Sequence, residues 1–164
     1  MEKINVLNLA AYIQKRYARE NNYETIDESK IHKLLYFIQR EALIQFNTLL
    51  FDADFYAWRY GPVLHEIRTA YSNNTILTTK PTALTNEQQS VIDYVFNQYS
   101  QKSSWSLSRL TRGEKSWKHA REGISEYEKS DILISIEDIK SDAQRQLTRR
   151  NKLKLLKMLN KIPS

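Results

Sequence analysis

The segment ESKIHKLLYFIQREALIQF, residues 28–46, constrains the fold more than any other stretch. Its Ile31, Leu34, Leu35, Ile38, Ala42 and Phe46 recur at three- and four-residue spacing, which predicts a helix with a wide apolar stripe. A stripe that wide needs cover from several sides, so this is the expected central helix. Asp27 stands where it can cap the helix start.

The rest of the chain also reads as helical, because only three glycines and three prolines punctuate 164 residues. Leu9, Tyr12, Ile13 and Tyr17 predict a first helix over residues 5–19. FYAW, residues 55–58, alternates Phe55 and Ala57 with Tyr56 and Trp58, as an extended segment does. Gly61 breaks that segment, and Pro62 suits the first turn of a helix running to Tyr71. SNNTILTTKPTA, residues 72–83, reads as a loop.

Thr85 followed by Gln88 forms a capping-box pattern, ahead of a helix carrying Val91, Ile92, Val95, Phe96 and Tyr99. SLSRLTRG and KSWKHAREG predict two short helices, each ended by a glycine, Gly113 or Gly123, suited to a left-handed stop. Ser135, with Glu137 and Asp138 behind it, marks the last helix start. The expected architecture is mainly α: a compact bundle of about six to seven helices with at most a short β element near residues 54–59.

Catalytic and metal chemistry finds little support. The chain has no cysteine, which removes disulfides and thiolate nucleophiles. Its histidines are His32, His65 and His119, and each is expected to be a surface or half-buried polar group. His65-Glu66 begins like a helical zinc-protease motif, but Thr69 occupies the position of the second ligand. No glycine-rich phosphate loop or nucleophile elbow occurs. No cofactor is expected. Asp52 and Asp54 form an acidic pair that could act as a hydrolase only inside a cleft, and Asp52 also suits a turn cap.

Charge is concentrated at one end. Residues 141–164 hold Arg145, Arg149, Arg150, Lys152, Lys154, Lys157 and Lys161 against Asp142, and carry the whole net charge of +6. Such a segment can neutralise phosphates, which gives nucleic-acid affinity without sequence preference. It has no interleaved aromatic residues for base stacking, and Leu147, Leu155, Leu156, Met158 and Leu159 give it a partial apolar face. A solvated helix packed on the same domain is the favoured reading.

No apolar run is long enough to span a membrane, and the first residues mix charged with apolar side chains, unlike a signal peptide. A cytoplasmic protein is expected.

Three blocks in order carry a family resemblance: ESKIHKLLYFIQ, LFDADFYAWRYGPVLHEIRTAY and LSRLTRGEKSWKHAR, with ISIEDIK behind them. Together they resemble the Panacea domain, the SocA-like antitoxin domain of many phage-associated proteins, over about residues 1–140. The middle block is the most specific. The sequence departs at His32, where the family usually has Gln, and in the turn before Trp117.

The resemblance implies a non-enzymatic antitoxin that neutralises a cognate toxin by direct binding. It also implies, from the founding type, delivery of the toxin to a protease. Trp58, Arg59, Tyr60 and His65 are the partner-binding candidates, because Trp, Tyr and Arg dominate protein interfaces. For Trp58 and Tyr60, packing on the central helix to brace the corner is the favoured reading. The alternative is a nucleic-acid-binding regulator that uses Arg145, Arg149, Arg150, Lys152, Lys154 and Lys157.

Overall fold

The computed structural model describes residues 1–159. Among them, seven helices surround a two-stranded antiparallel hairpin, so the mainly α architecture holds. In chain order the elements are α1 (Val6–Glu20), α2 (Glu28–Phe46), β1 (Phe55–Trp58), β2 (Gly61–Leu64) and α3 (His65–Ser72). After the loop come α4 (Asn86–Tyr99), α5 (Ser104–Arg112), α6 (Lys115–Ala120) and α7 (Ile136–Met158).

Helix α2 is central, and more completely enclosed than its stripe predicts. Every residue from Lys30 to Leu43 is buried, the polar ones included. Burying a polar group costs stability unless it finds a partner, and the partners come from distant segments. Gln39 bridges the Leu50 N–H and the Phe51 carbonyl. Lys30 donates to the Ser100 carbonyl at 2.9 Å and lies over the Tyr17 ring.

Tyr36 sits in a buried polar knot, 2.7 Å from Ser116 Oγ and 3.2 Å from Asp142 Oδ2. Arg40 donates to Glu114 Oε1 at 2.5 Å and to the Tyr99 hydroxyl at 3.1 Å. These contacts tie α4, α6 and α7 to the central helix.

The helix starts follow their cap residues. Asn5 accepts from the Leu7 and Asn8 N–H groups, Thr85 and Gln88 form the complete box, and Ser135 accepts from the Asp138 N–H. Asp27 precedes α2 but makes no side-chain cap bond; its carboxylate accepts from Ser104 Oγ instead, at 2.8 Å. Gly123 has the left-handed φ of +81°, whereas Gly113 is right-handed at −78°, because α6 follows at once and the chain does not turn out of the helix there.

Pro62 does not begin a helix. The chain turns at Arg59–Tyr60 and returns as β2, pairing Trp58 with Gly61 and Ala57 with Pro62, and α3 starts only at His65. The proline fits because of hydrogen-bond alternation in an antiparallel ladder. Ala57 uses its N–H on the Ile132 carbonyl, and Phe55 accepts from the Ile134 N–H, both on the far side of β1. Their partners Pro62 and Leu64 therefore face outward, where a missing N–H leaves no ladder bond broken. The Leu64 N–H is taken by His32 Nδ1 at 3.1 Å. The β element thus reaches Leu64, beyond the expected residues, and Leu133 adds a bridge to Tyr56.

Helix α7 runs unbroken through residue 140. Ile139, Asp142 and Ala143 are its buried positions, while Leu153, Leu155, Met158 and Leu159 are exposed. Among the described residues no helix is long and apolar enough to cross a membrane.

Candidate partner-binding groove

A groove of about 850 Å³ opens between the first turns of α2, the hairpin turn and residues 129–131. That is the size of sites that enclose small ligands. Trp58, Arg59 and Tyr60 form its outer wall, and His32 and Lys33 its floor.

The floor depends on Gly61. Its φ of +124° is a conformation that side-chain-bearing residues rarely adopt, and a Cβ there would stand 2.7 Å from Thr111 Oγ1 and 2.8 Å from Lys33 Cε. The glycine lets the hairpin turn lie directly on the lysine.

His32 is 2% exposed, not a surface histidine. Because Nδ1 accepts the Leu64 N–H, Nε2 carries the ring proton and donates to Glu28 Oε2, at 3.1 Å. Burial lowers its pKa against the opposing pull of Glu28, so the ring is neutral. Burial alone would raise the Glu28 carboxyl, but the bonds from His32 and Arg68 outweigh it and hold the group below the usual range.

The wall is braced by Asp131, whose Oδ1 accepts from Trp58 Nε1 at 2.7 Å and lies 2.8 Å from His65 Nε2. The same two contacts, Trp58 first, keep the Asp131 carboxyl below its ordinary pKa. His65 stacks on Tyr56 at 3.8 Å, behind the wall rather than on the groove lining. Trp58 is half-buried in this arrangement. Tyr60 does not pack on the central helix: it is 47% exposed, with Arg59 stacked over its ring.

The buried indole that locks this corner belongs to Trp117, which donates to the Trp58 carbonyl at 2.8 Å. Arg121 completes the lock by donating to the carbonyls of Ala57, Ser125, Glu126 and Glu128.

Beside the groove lies a cluster that sequence reasoning missed. The Arg112 guanidinium sits 5.5 Å from the Trp105 ring and 5.8 Å from the Tyr127 ring, and Tyr127 is 6.2 Å from Tyr60. Trp105, Tyr127 and Tyr60 are all about half exposed. Their sequence separation hid the cluster. The available signal was Trp105 itself, a large apolar residue on the polar side of a short helix.

The basic candidates divide. Arg145 pairs with Asp142, and Arg150 grips Glu41 while stacking 4.3 Å over Tyr94. Arg149, Lys152, Lys154 and Lys157 are solvent-exposed and make no ion pair among the described residues. Lys161 lies outside them. Asp52 is paired with Lys3 and largely exposed, and does not cap a turn; the hollow beside it and Asp54 is only about 180 Å³. Neither acid is desolvated as general acid–base catalysis requires.

These features define a helical domain whose most developed surface is an aromatic- and arginine-lined groove. The chain matches the family described as "Antitoxin SocA-like, Panacea domain" over residues 31–118, more than half its length, and belongs to that family. The match is narrower than the reach to Lys140 suggested by the motifs. No curated protein and no solved structure matches the chain.

Within the matched stretch, several residues of the quoted blocks act structurally. Tyr36 and Ser116 hold the buried knot, Gly61 and Pro62 shape the hairpin, and Trp117 holds the corner.

Proposed function

We propose that this protein is the cytoplasmic, non-enzymatic antitoxin of a toxin–antitoxin pair, and that it neutralises its toxin by direct binding at the groove and its aromatic rim. The observation that carries this reading is the exposed group of Tyr60, Trp105 and Tyr127 around Arg112, continuous with Trp58 and Arg59. Half-exposed aromatics stacked with arginines on a rigid support are the side chains that supply most interface energy. Membership of the antitoxin family supplies the class of partner.

The test is co-expression with the toxic product of a neighbouring gene. The intact chain restores growth, and a Tyr60→Ala/Trp105→Ala double variant loses rescue while keeping its helical circular dichroism. A neighbour that is harmless, or that stays toxic beside the intact chain, removes the assignment. The toxin's half-life separates two routes: masking leaves it unchanged or longer, and delivery to a protease shortens it.

A further inference from the structure

The polar side chains buried along α2 have partners in every case but one. Lys33 is 2% exposed, yet it makes no hydrogen bond and no ion pair among the described residues. A buried ammonium without a counter-charge is costly to fold around. This one is not sealed in apolar packing: it lies under Gly61 and forms part of the groove floor.

The other charges of the groove sort by whether they are already used. Glu28 is engaged by His32 and Arg68, and Asp131 by Trp58 and His65. Arg59 only stacks on Tyr60, and Lys129 has no ion-pair partner among the described residues. The uncommitted charge facing the space is therefore positive, with its deepest point at Lys33.

We propose that Lys33 is the anion-binding floor of this groove, and that the protein partner enters it with a carboxylate carried on a peptide segment. This rests on the direct-binding reading above and names the chemistry of the inserted element. A carboxylate fits better than a phosphate. One ammonium is a single point charge, and Glu28 and Asp131 remain in the walls to repel a dianion. Trp58 and Tyr60 offer apolar surface to whatever flanks the acid.

Binding of this kind is linked to pH. Burial drives the Lys33 ammonium down to about 8; Glu28 and Asp27 hold it up, and Arg112 adds to the fall. A carboxylate placed against Nζ favours the protonated form, so the complex takes up a proton near and above pH 8, and affinity falls as the pH rises further.

Lysine-selective NMR of the full chain reads this directly, with the Lys33 Cε signal followed during titration. The probes are N-acetyl-Trp-Asp-amide, its Asn counterpart and inorganic phosphate. The Asp probe is expected to shift Lys33 and raise its pKa by at least about one unit, and the Asn probe to bind at least about tenfold more weakly. In Lys33→Met the Trp58 indole signal no longer responds to the Asp probe. If that variant does not fold, the wild-type lysine signal still decides.

Equal binding of the Asp and Asn probes overturns the proposal, as does a Trp58 response with Lys33 unmoved. Phosphate acting at lower concentration than the Asp probe also overturns it, in favour of a phosphate ligand. Failure here with toxin rescue intact removes the carboxylate floor alone. Rescue that fails while Lys33 responds removes the antitoxin reading and leaves a carboxylate site.

Discussion

Arg150 on α7 holds Glu41 on α2 with both terminal nitrogens, at 3.0 and 2.8 Å, across 109 residues of sequence. Glu41 is 2% exposed and Arg150 20%, so the pair is a largely buried clamp between the basic helix and the centre of the fold, with Gln45 Nε2 also donating to Glu41. Removing one member strands the other charge. Arg150→Ala is expected to destabilise by about 3–5 kcal/mol in urea unfolding, whereas Lys154→Ala stays within about 0.5 kcal/mol. Equal, small effects at both positions would show that the clamp carries no stability.

The unpartnered ammonium of Lys33 gives a prediction of opposite sign. Its pKa in the folded protein lies near 8, against the ordinary 10.5, so the unfolded chain binds the extra proton between those values. The penalty is fully present below about pH 8 and fades as pH rises. Lys33→Met should therefore be more stable than the wild type at pH 7, by up to about 3 kcal/mol. The difference should shrink between about pH 8 and 10, as read from parallel denaturant titrations. A variant less stable than wild type at pH 7 would contradict this account.

Gly61 and Gly113 test the hairpin. Gly61→Ala forces a Cβ against Thr111 and Lys33 in a backbone conformation that disfavours it, and should cost at least about 2 kcal/mol. Gly113 is right-handed, and its nearest contact would be the Leu110 carbonyl at 3.2 Å, so its alanine variant should stay within about 1 kcal/mol. Thermal unfolding of the two single variants makes the comparison.

Helix α7 limits what DNA could gain. With Arg145 and Arg150 occupied internally, the exposed cations are Arg149, Lys152, Lys154 and Lys157, with Lys161 beyond the described residues. A duplex-binding isotherm should then give a log–log salt slope no steeper than about −5, with affinity collapsing between about 50 and 200 mM salt. A steeper slope would mean that the internal pairs open to meet phosphate.

How much of this was legible in the sequence depended on the range of the interaction. The stripe from Ile31 to Phe46 announced α2 because helix periodicity is local, and the Thr85–Gln88 box and the Ser135 cap act within three residues. The burial of Lys30, Gln39, Arg40 and Glu41 was not readable, because each has a partner in a distant segment, from 11 to 109 residues away. Gly61–Pro62 read as a helix start because proline suits both a first turn and an outward strand position. Only the use of Ala57 by Ile132 decides between them. Trp58, Arg59 and Tyr60 were visible as a cluster since they are consecutive. Lys33, Trp105 and Tyr127 joined them only in three dimensions.

The outward edge of β2 has a further consequence. An exposed strand edge normally invites another chain to extend the sheet, through its free N–H and carbonyl groups. Here the edge is covered as well as blocked: Gly61–Leu64 are all buried, Pro62 has no N–H to offer, and the next outward one, at Leu64, is already spent on His32. Strand addition along β2 is closed by packing and by chemistry, and so is the misassembly that begins the same way. Whatever docks beside this hairpin must be recognised by side chains, so specificity can change by surface substitution without disturbing the backbone that presents it.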